Sequence, residues 1–444
     1  MKLWGNEIDL DREIEMFTVG NDREADLYLA KADVLGSIAH VKMLGSIGLL
    51  TDVEIRLLTV ELRAIYRTVI DGRFVIEEGV EDVHTQVELM LTRSLGDIGK
   101  KVHSGRSRND QVLLDLKLYT RESLRLLTCD VSKLIDTFLL LSERYRSVLM
   151  PGYTHLQVAM PSSFGLWFGS FAEGLTDDLR LLLSAYGICD RNPLGSAAGY
   201  GSSFPLDRGM TTALLGFGTM NYNSSYAQMS RGKMEFSAAF ALSGVAFTLS
   251  KFAYDACLFC SQNFGFITLP SEFTTGSSIM PHKRNPDVFE LIRARCNRIS
   301  GLPGQLGTVL GNLPSGYFRD FQVTKEFFLP SFGLLRDCLR MSDRILTRIE
   351  VRDNILDDEK YAPIFSVERI NELVAGGVPF RDAYRRVCGE ISSGTVVGAR
   401  PVRHTHEGSI GNLCNDRILA LRDGLLSQFG FERALEAEGR LIES

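Results

Sequence analysis

Apolar residues recur at spacings of three and four over most of the chain, the repeat of a helix with one buried face. The pattern predicts helices over 26–49, 52–70 and 81–91, with Thr51-Asp52 as a helix start and a turn at 96–101. A long periodic run follows Ser107 to about residue 146, and another covers 162–186. From 230 to 262 no proline intervenes and apolar residues lie nearly all round, which places that helix among other helices. Two more long helices begin at Pro286 and near Thr324. Five members of about 25–35 residues exceed the usual globular helix and predict a bundle shared between subunits. Beyond 361 the chain turns to shorter helices and glycine turns. Strict alternation of β-branched residues is scarce, so the reading is all-α with little sheet.

Composition narrows the class. A chain of 444 residues buries a large core and divides into two or three domains. The net charge of −6 and the lack of a basic block argue against nucleic acid as a partner. Any anion must be met by a local cluster of cations. The most apolar stretch, 236–250, is shorter than the ~20 residues a bilayer requires, which favours a core helix and no membrane. Eight cysteines are scattered; Cys257 and Cys260 form C-x-x-C inside an apolar run, with no second pair. They read as buried thiols, and the location as reducing and cytoplasmic. Met1 to Glu7 is not followed by a leader's apolar core. His404 and His406 lack a nearby third ligand and read as a surface pair.

Residues 276–286, Gly-Ser-Ser-Ile-Met-Pro-His-Lys-Arg-Asn-Pro, form a poor helix and read as a loop. Asn285 suits an N-cap, Pro286 the first helical position and Asp287 the first turn. Hydroxyls, Lys283, Arg284, Asn285 and backbone N–H groups would then face an anion. On composition alone the loop is a connector. Its order, G-S-S-I-M-P-x-K-x-N-P, resembles the signature of the fumarate-releasing lyases: argininosuccinate lyase, adenylosuccinate lyase, class II fumarase and aspartase. Residues 103–110, H-S-G-R-S-R-N-D, resemble the H-T-G-R-S-R-N-D of the argininosuccinate lyases, with Ser104 in place of Thr. Residues 152–157 match G-Y-T-H-L-Q, but Val158-Ala159-Met160-Pro161 departs from the usual R-A-Q-P. Residues 81–84 resemble E-D-V-H; 193–197 resemble P-L-G-S-G, with Ala197 for Gly; and 380–384 resemble P-F-R-x-A-[HY] in part. Tyr317, Asp320, Gln322 and Lys325 resemble Y-N-x-D-L-Q-x-x-K, with Phe318 replacing Asn.

The resemblance implies a three-domain, mainly helical fold with a long central bundle, fumarase/aspartase-like. Its divisions are expected at 1–106, 107–360 and 361–444. It also implies a homotetramer whose sites draw on three subunits, a small-molecule substrate, and no metal or organic cofactor. The reaction implied is β-elimination of fumarate from argininosuccinate. Ser277 is then the base, helped by Lys283, with His155 on the opposite side and Glu290 orienting it. Ser107, Arg108, Asn109, Thr154, Ser278, Asn285, Tyr317, Gln322, Lys325, Arg231 and His84 would bind substrate. Adenylosuccinate lyase stays open because 281–286 read like its P-H-K-R-N-P. An N-acylated argininosuccinate stays open because of Val158, Met160 and His282. A silent, crystallin-like structural protein is the reading from another class.

Overall fold

A computed structural model describes residues 11–394, 402 and 404–443, so the reading of Met1 to Glu7 lies outside the described residues. The predicted helices form with shifted ends. Asp52–Ile70 carries a reciprocal box in which Thr51 and Glu54 satisfy each other's backbone N–H. The first run resolves into Ala30–Ser46, preceded by shorter turns that include Asp22–Asp26. The third begins at Val83, where the Asp82 side chain accepts from the Thr85 N–H.

The bundle is built from Arg108–Arg144, Phe164–Cys189, Lys233–Cys260 and Asp320–Leu346. Its fifth member differs from expectation. It breaks at Gly301 into Asp287–Ser300 and Leu302–Leu310, with a proline early in the second piece. One hydrophobic core runs along these helices and takes in residues of the C-terminal helices, such as Val387 and Leu425. A second core joins Ala30–Ser46 and Asp52–Ile70 to Leu194, Phe217 and Leu441, far apart in sequence. Leu441 belongs to the last helix, Phe431–Glu443, and its carbonyl accepts from Arg63 at 2.9 Å.

Where 162 was expected to start a helix, Ser162 lies in a hairpin. Leu149–Thr154 pairs antiparallel with Gln157–Ser163, and the helix begins at Phe164 with Ser163 as its cap. A Cβ on Gly165 would meet the Ser142 carbonyl at 2.6 Å, so only glycine lets the start of this helix lie so close to the end of the Arg108–Arg144 helix. His404 also departs from expectation. Its ring bridges Ser409 Oγ at 2.8 Å and Glu368 Oε1 at 3.0 Å, joining two C-terminal segments.

The stretch Ser224–Cys260 is long and apolar enough to cross a membrane, yet 50% of its most apolar window is buried within this chain. Its other face exposes Phe236, Phe240, Phe247 and Tyr254, at spacings of four, seven and seven. These rings form an exposed apolar stripe along the helix.

Candidate active site

A cavity of about 190 Å³ lies where Val83–Leu95 and Arg108–Arg144 begin beside the start of Asp320–Leu346. His84, Arg108, Asn109, Tyr317, Gln322 and Lys325 line it, together with Asp22, Asp26, Glu81, Asp82 and Arg319. The sequence supplies the local geometry. Ser107 caps the long helix and exchanges bonds with Asp110. Asp110 Oδ2 in turn accepts from the Gly195 and Ala197 N–H groups, at 2.9 and 2.8 Å. The first turn, with Arg108 and Asn109, is thereby fixed to a distant loop.

The cations are held in advance. Arg108 reaches Thr85 Oγ1 at 2.7 Å and the carboxylates of Glu81 and Asp82 at 3.2 Å. Arg319 bonds Glu81 at 2.7 Å and Gln322 at 3.1 Å. Gln322 also donates to the carbonyls of Thr18 and Val19. Lys325 is buried and pairs with Asp22 and with Asp26, the latter at 2.6 Å. Burial pushes the Asp22 carboxyl up to about 6, against the pull of Lys325.

His84 points Nδ1 at Asp33 Oδ1, 2.8 Å away, with Asp115 Oδ2 at 3.5 Å. Burial alone would lower its pKa; Asp33, with Asp115 and Asp82, outweighs that and holds it up at about 9. Asp33, His84 and Asp115 place three ligand-type atoms within 4.8 Å of one another. The donors already spent on Asp33, from His84 and from Gln111 at 2.6 Å, and the field of Arg106 suit a proton-held cluster better than a divalent cation.

The remaining predicted residues stand elsewhere on the chain. Arg231 is buried against Glu235 at 3.1 Å and over the Phe321 ring, and it lines a neighbouring cavity of about 440 Å³. Thr154 and His155 lie exposed at the hairpin tip. His155 and Leu156 both adopt left-handed φ, 55° and 56°, in a two-residue turn that usually takes Asn or Gly. Each non-glycine residue there costs ~1–2 kcal/mol, strain of the kind stored at functional positions.

The loop 276–286 is closed at its base by Thr275 and Asn285, which exchange backbone bonds at 3.3 and 2.9 Å. This corrects the expected cap. Asn285 serves as the loop's clasp, Pro286 takes the cap position without a side-chain bond, and the helix starts at Asp287. Ser277 Oγ accepts from the Ile279 and Met280 N–H groups, at 3.3 and 3.1 Å. Ser278, Lys283 and Glu290 are exposed. None of the hairpin-tip or loop residues lines the cavity around Arg108 within the same chain.

Sequence reading missed Asp22, Asp26, Asp33, Asp115 and Arg319. A signal existed for two of them: Asp33 and Asp115 interrupt apolar helical runs, where an acid requires a buried partner.

A sequence profile described as lyase matches residues 9–301. The chain is 62% identical over 441 residues to the argininosuccinate lyase of Parabacteroides distasonis, covering 99% of each. It is 61% identical to that of Bacteroides thetaiotaomicron, again over 99% of each. Among solved structures it is similar to EDDS lyase in complex with formate, with a TM-score of 0.76 and 22% identity over 97% of this chain and 93% of that one. The last likeness speaks for the fold, the others for descent: the chain belongs to the argininosuccinate lyase family of the fumarate-releasing lyases.

Proposed function

We infer that the protein cleaves argininosuccinate to arginine and fumarate by β-elimination, in arginine biosynthesis. The proton to be removed sits alpha to a carboxylate and is weakly acidic in water. Its removal places a second negative charge on that carboxylate, which becomes accessible only against donors fixed beforehand. The observation that carries the reading is the cavity itself, where Arg108, Lys325, Tyr317 and Gln322 meet a His84 held charged.

In this account Ser277 takes the proton. Two backbone N–H groups aimed at Oγ favour its anion, which supports a serine acting as base. Lys283 adds a charge when the loop closes and water leaves. His155, oriented by Glu290, serves the leaving nitrogen from the other side, directly or through water. Ser107 fixes the geometry; Asn109, Thr154, Ser278, Asn285 and Arg231 complete substrate binding.

The loop and the hairpin tip reach the cavity from other copies of the chain. The exposed aromatic seam on Lys233–Cys260 supports a homotetramer with shared sites. We place the enzyme in the cytoplasm, in keeping with eight free cysteines.

Purified protein is expected to release fumarate, followed by its ultraviolet absorbance, from argininosuccinate and not from adenylosuccinate or N-acetylated argininosuccinate. Fumarate from either competitor alone would reverse the assignment of substrate. No turnover of any of the three would favour the crystallin-like reading.

A further inference from the structure

Three side chains behind the cavity are not explained by contact with substrate. Asp33 comes from Ala30–Ser46, and Gln111 and Asp115 from the start of Arg108–Arg144; all three are fully or almost fully buried. Asp33 Oδ1 accepts from both His84 Nδ1 and Gln111 Nε2. Among the described residues, Asp33 Oδ2 and both oxygens of Asp115 have no hydrogen-bond partner. Two carboxylates this deeply buried are costly unless cations face them. The cations at hand are His84 and Arg106, whose guanidinium donates to Ser37 Oγ at 3.0 Å; they hold Asp33 ionised, while burial and the neighbouring Asp33 push the Asp115 carboxyl well up.

The geometry of the ring decides the rest. Nδ1 is turned toward Asp33, so the opposite edge, carrying Nε2, is left for the cavity that His84 lines. We propose that Asp33, clamped by Gln111 and backed by Asp115, is a positioning residue that keeps His84 an imidazolium with its Nε2–H presented to a substrate carboxylate. This rests on the lyase reading of the cavity. A neutral ring in that place would carry one proton for two nitrogens, and Asp33 would still hold it at Nδ1. Nε2 would then face an anion as an acceptor, which repels it. The buried acids therefore determine whether this wall of the cavity attracts or rejects a dicarboxylate.

Other charges face the same ring. Asp82 lies at the cap of its own helix; Arg106 and Arg108 lead into the neighbouring one; His103 stands in the turn before them. The positive members of this set oppose a charged His84; Asp115 and Asp82 favour it, and Asp33, in direct contact with the ring, favours it most.

The test uses the intact enzyme with argininosuccinate. Asp33→Asn is expected to raise KM far more than it lowers kcat, and to move the alkaline limb of kcat/KM down by more than about one pH unit. In a His84→Gln background the same change should leave the limb in place, a coupling that a merely structural Asp33 would not show. An unmoved limb in Asp33→Asn, with wild-type turnover normal, overturns the proposal. If Asp33→Asn fails to fold, ¹⁵N resonances of the wild-type His84 ring decide. Titration clearly above 7 supports the assignment, and titration at or below the ordinary imidazole value sinks it. Should wild type release no fumarate from argininosuccinate, the functional reading fails by itself, and the ring titration still judges the Asp33–His84 pair.

Discussion

The cavity and the serine loop carry similar chemical groups under opposite physical conditions. In the cavity, Arg108, Lys325 and His84 are partly or fully buried and paired with acids from other segments of the same chain. In the loop, Ser277 Oγ accepts from N–H groups two and three residues on, and Lys283 stands in solvent. Charges fixed in a low-dielectric wall bind an anion without reorganising. Exposed ones act only after something brings them to a dry place. One region is finished by folding; in the proposed mechanism the other is finished by assembly and closure.

The largest effect should come from separating the two regions onto different subunits. Ser277→Ala is expected to lose about a hundredfold or more in kcat, the scale of a missing general base. Lys325→Met should be comparably inactive. Unfolded together and refolded as a mixture, the two should regain a substantial part of wild-type activity, because some sites then combine an intact loop with an intact cavity. Activity no higher than the sum of the parents would place both regions of each site on one chain.

Stability should divide the same pair. Lys325→Met leaves Asp22 and Asp26 buried without their cation and should cost about 3 kcal/mol. Ser277→Ala removes bonds made in solvent and should stay within about 0.5 kcal/mol. Equal losses in denaturant titrations would mean that the loop is as much a part of the folded frame as the cavity.

The last effect is one of pH. His84 has its pKa raised from 6.5 to about 9, so the folded state binds the proton more tightly than the unfolded one. Its contribution is full below about 6.5 and fades as pH rises through 9, roughly 3 kcal/mol at most. Melting followed from pH 6 to 10 should show that decline in wild type and lose it in His84→Gln. A parallel decline in both proteins would assign it to other groups.

Much of this was readable before any coordinates. Caps and boxes at Thr51, Asp82 and Ser107 are local bargains between neighbours, and the helices they start follow. The hairpin was not legible, because Pro151 and Pro161 face each other in its register and alternation is absent. Nor was Asn285 as a clasp, since its partner Thr275 stands ten residues back, across the loop. Asp22 and Asp26 were missed because an Asp in a short polar helix reads as solvated; only the fold buries them against Lys325.

The order of residues by itself determined the helical class, the loop that interrupts it and the kinship of the chain, because periodicity, caps and motif identity are encoded within a few turns. The tertiary structure decided which charges meet. Lys325 finds Asp26 across 299 positions and His84 finds Asp33 across 51, and only packing sets the burial that makes those pairs strong. Electrostatic strength depends on distance and on the exclusion of water, and neither is a property of any short stretch of chain.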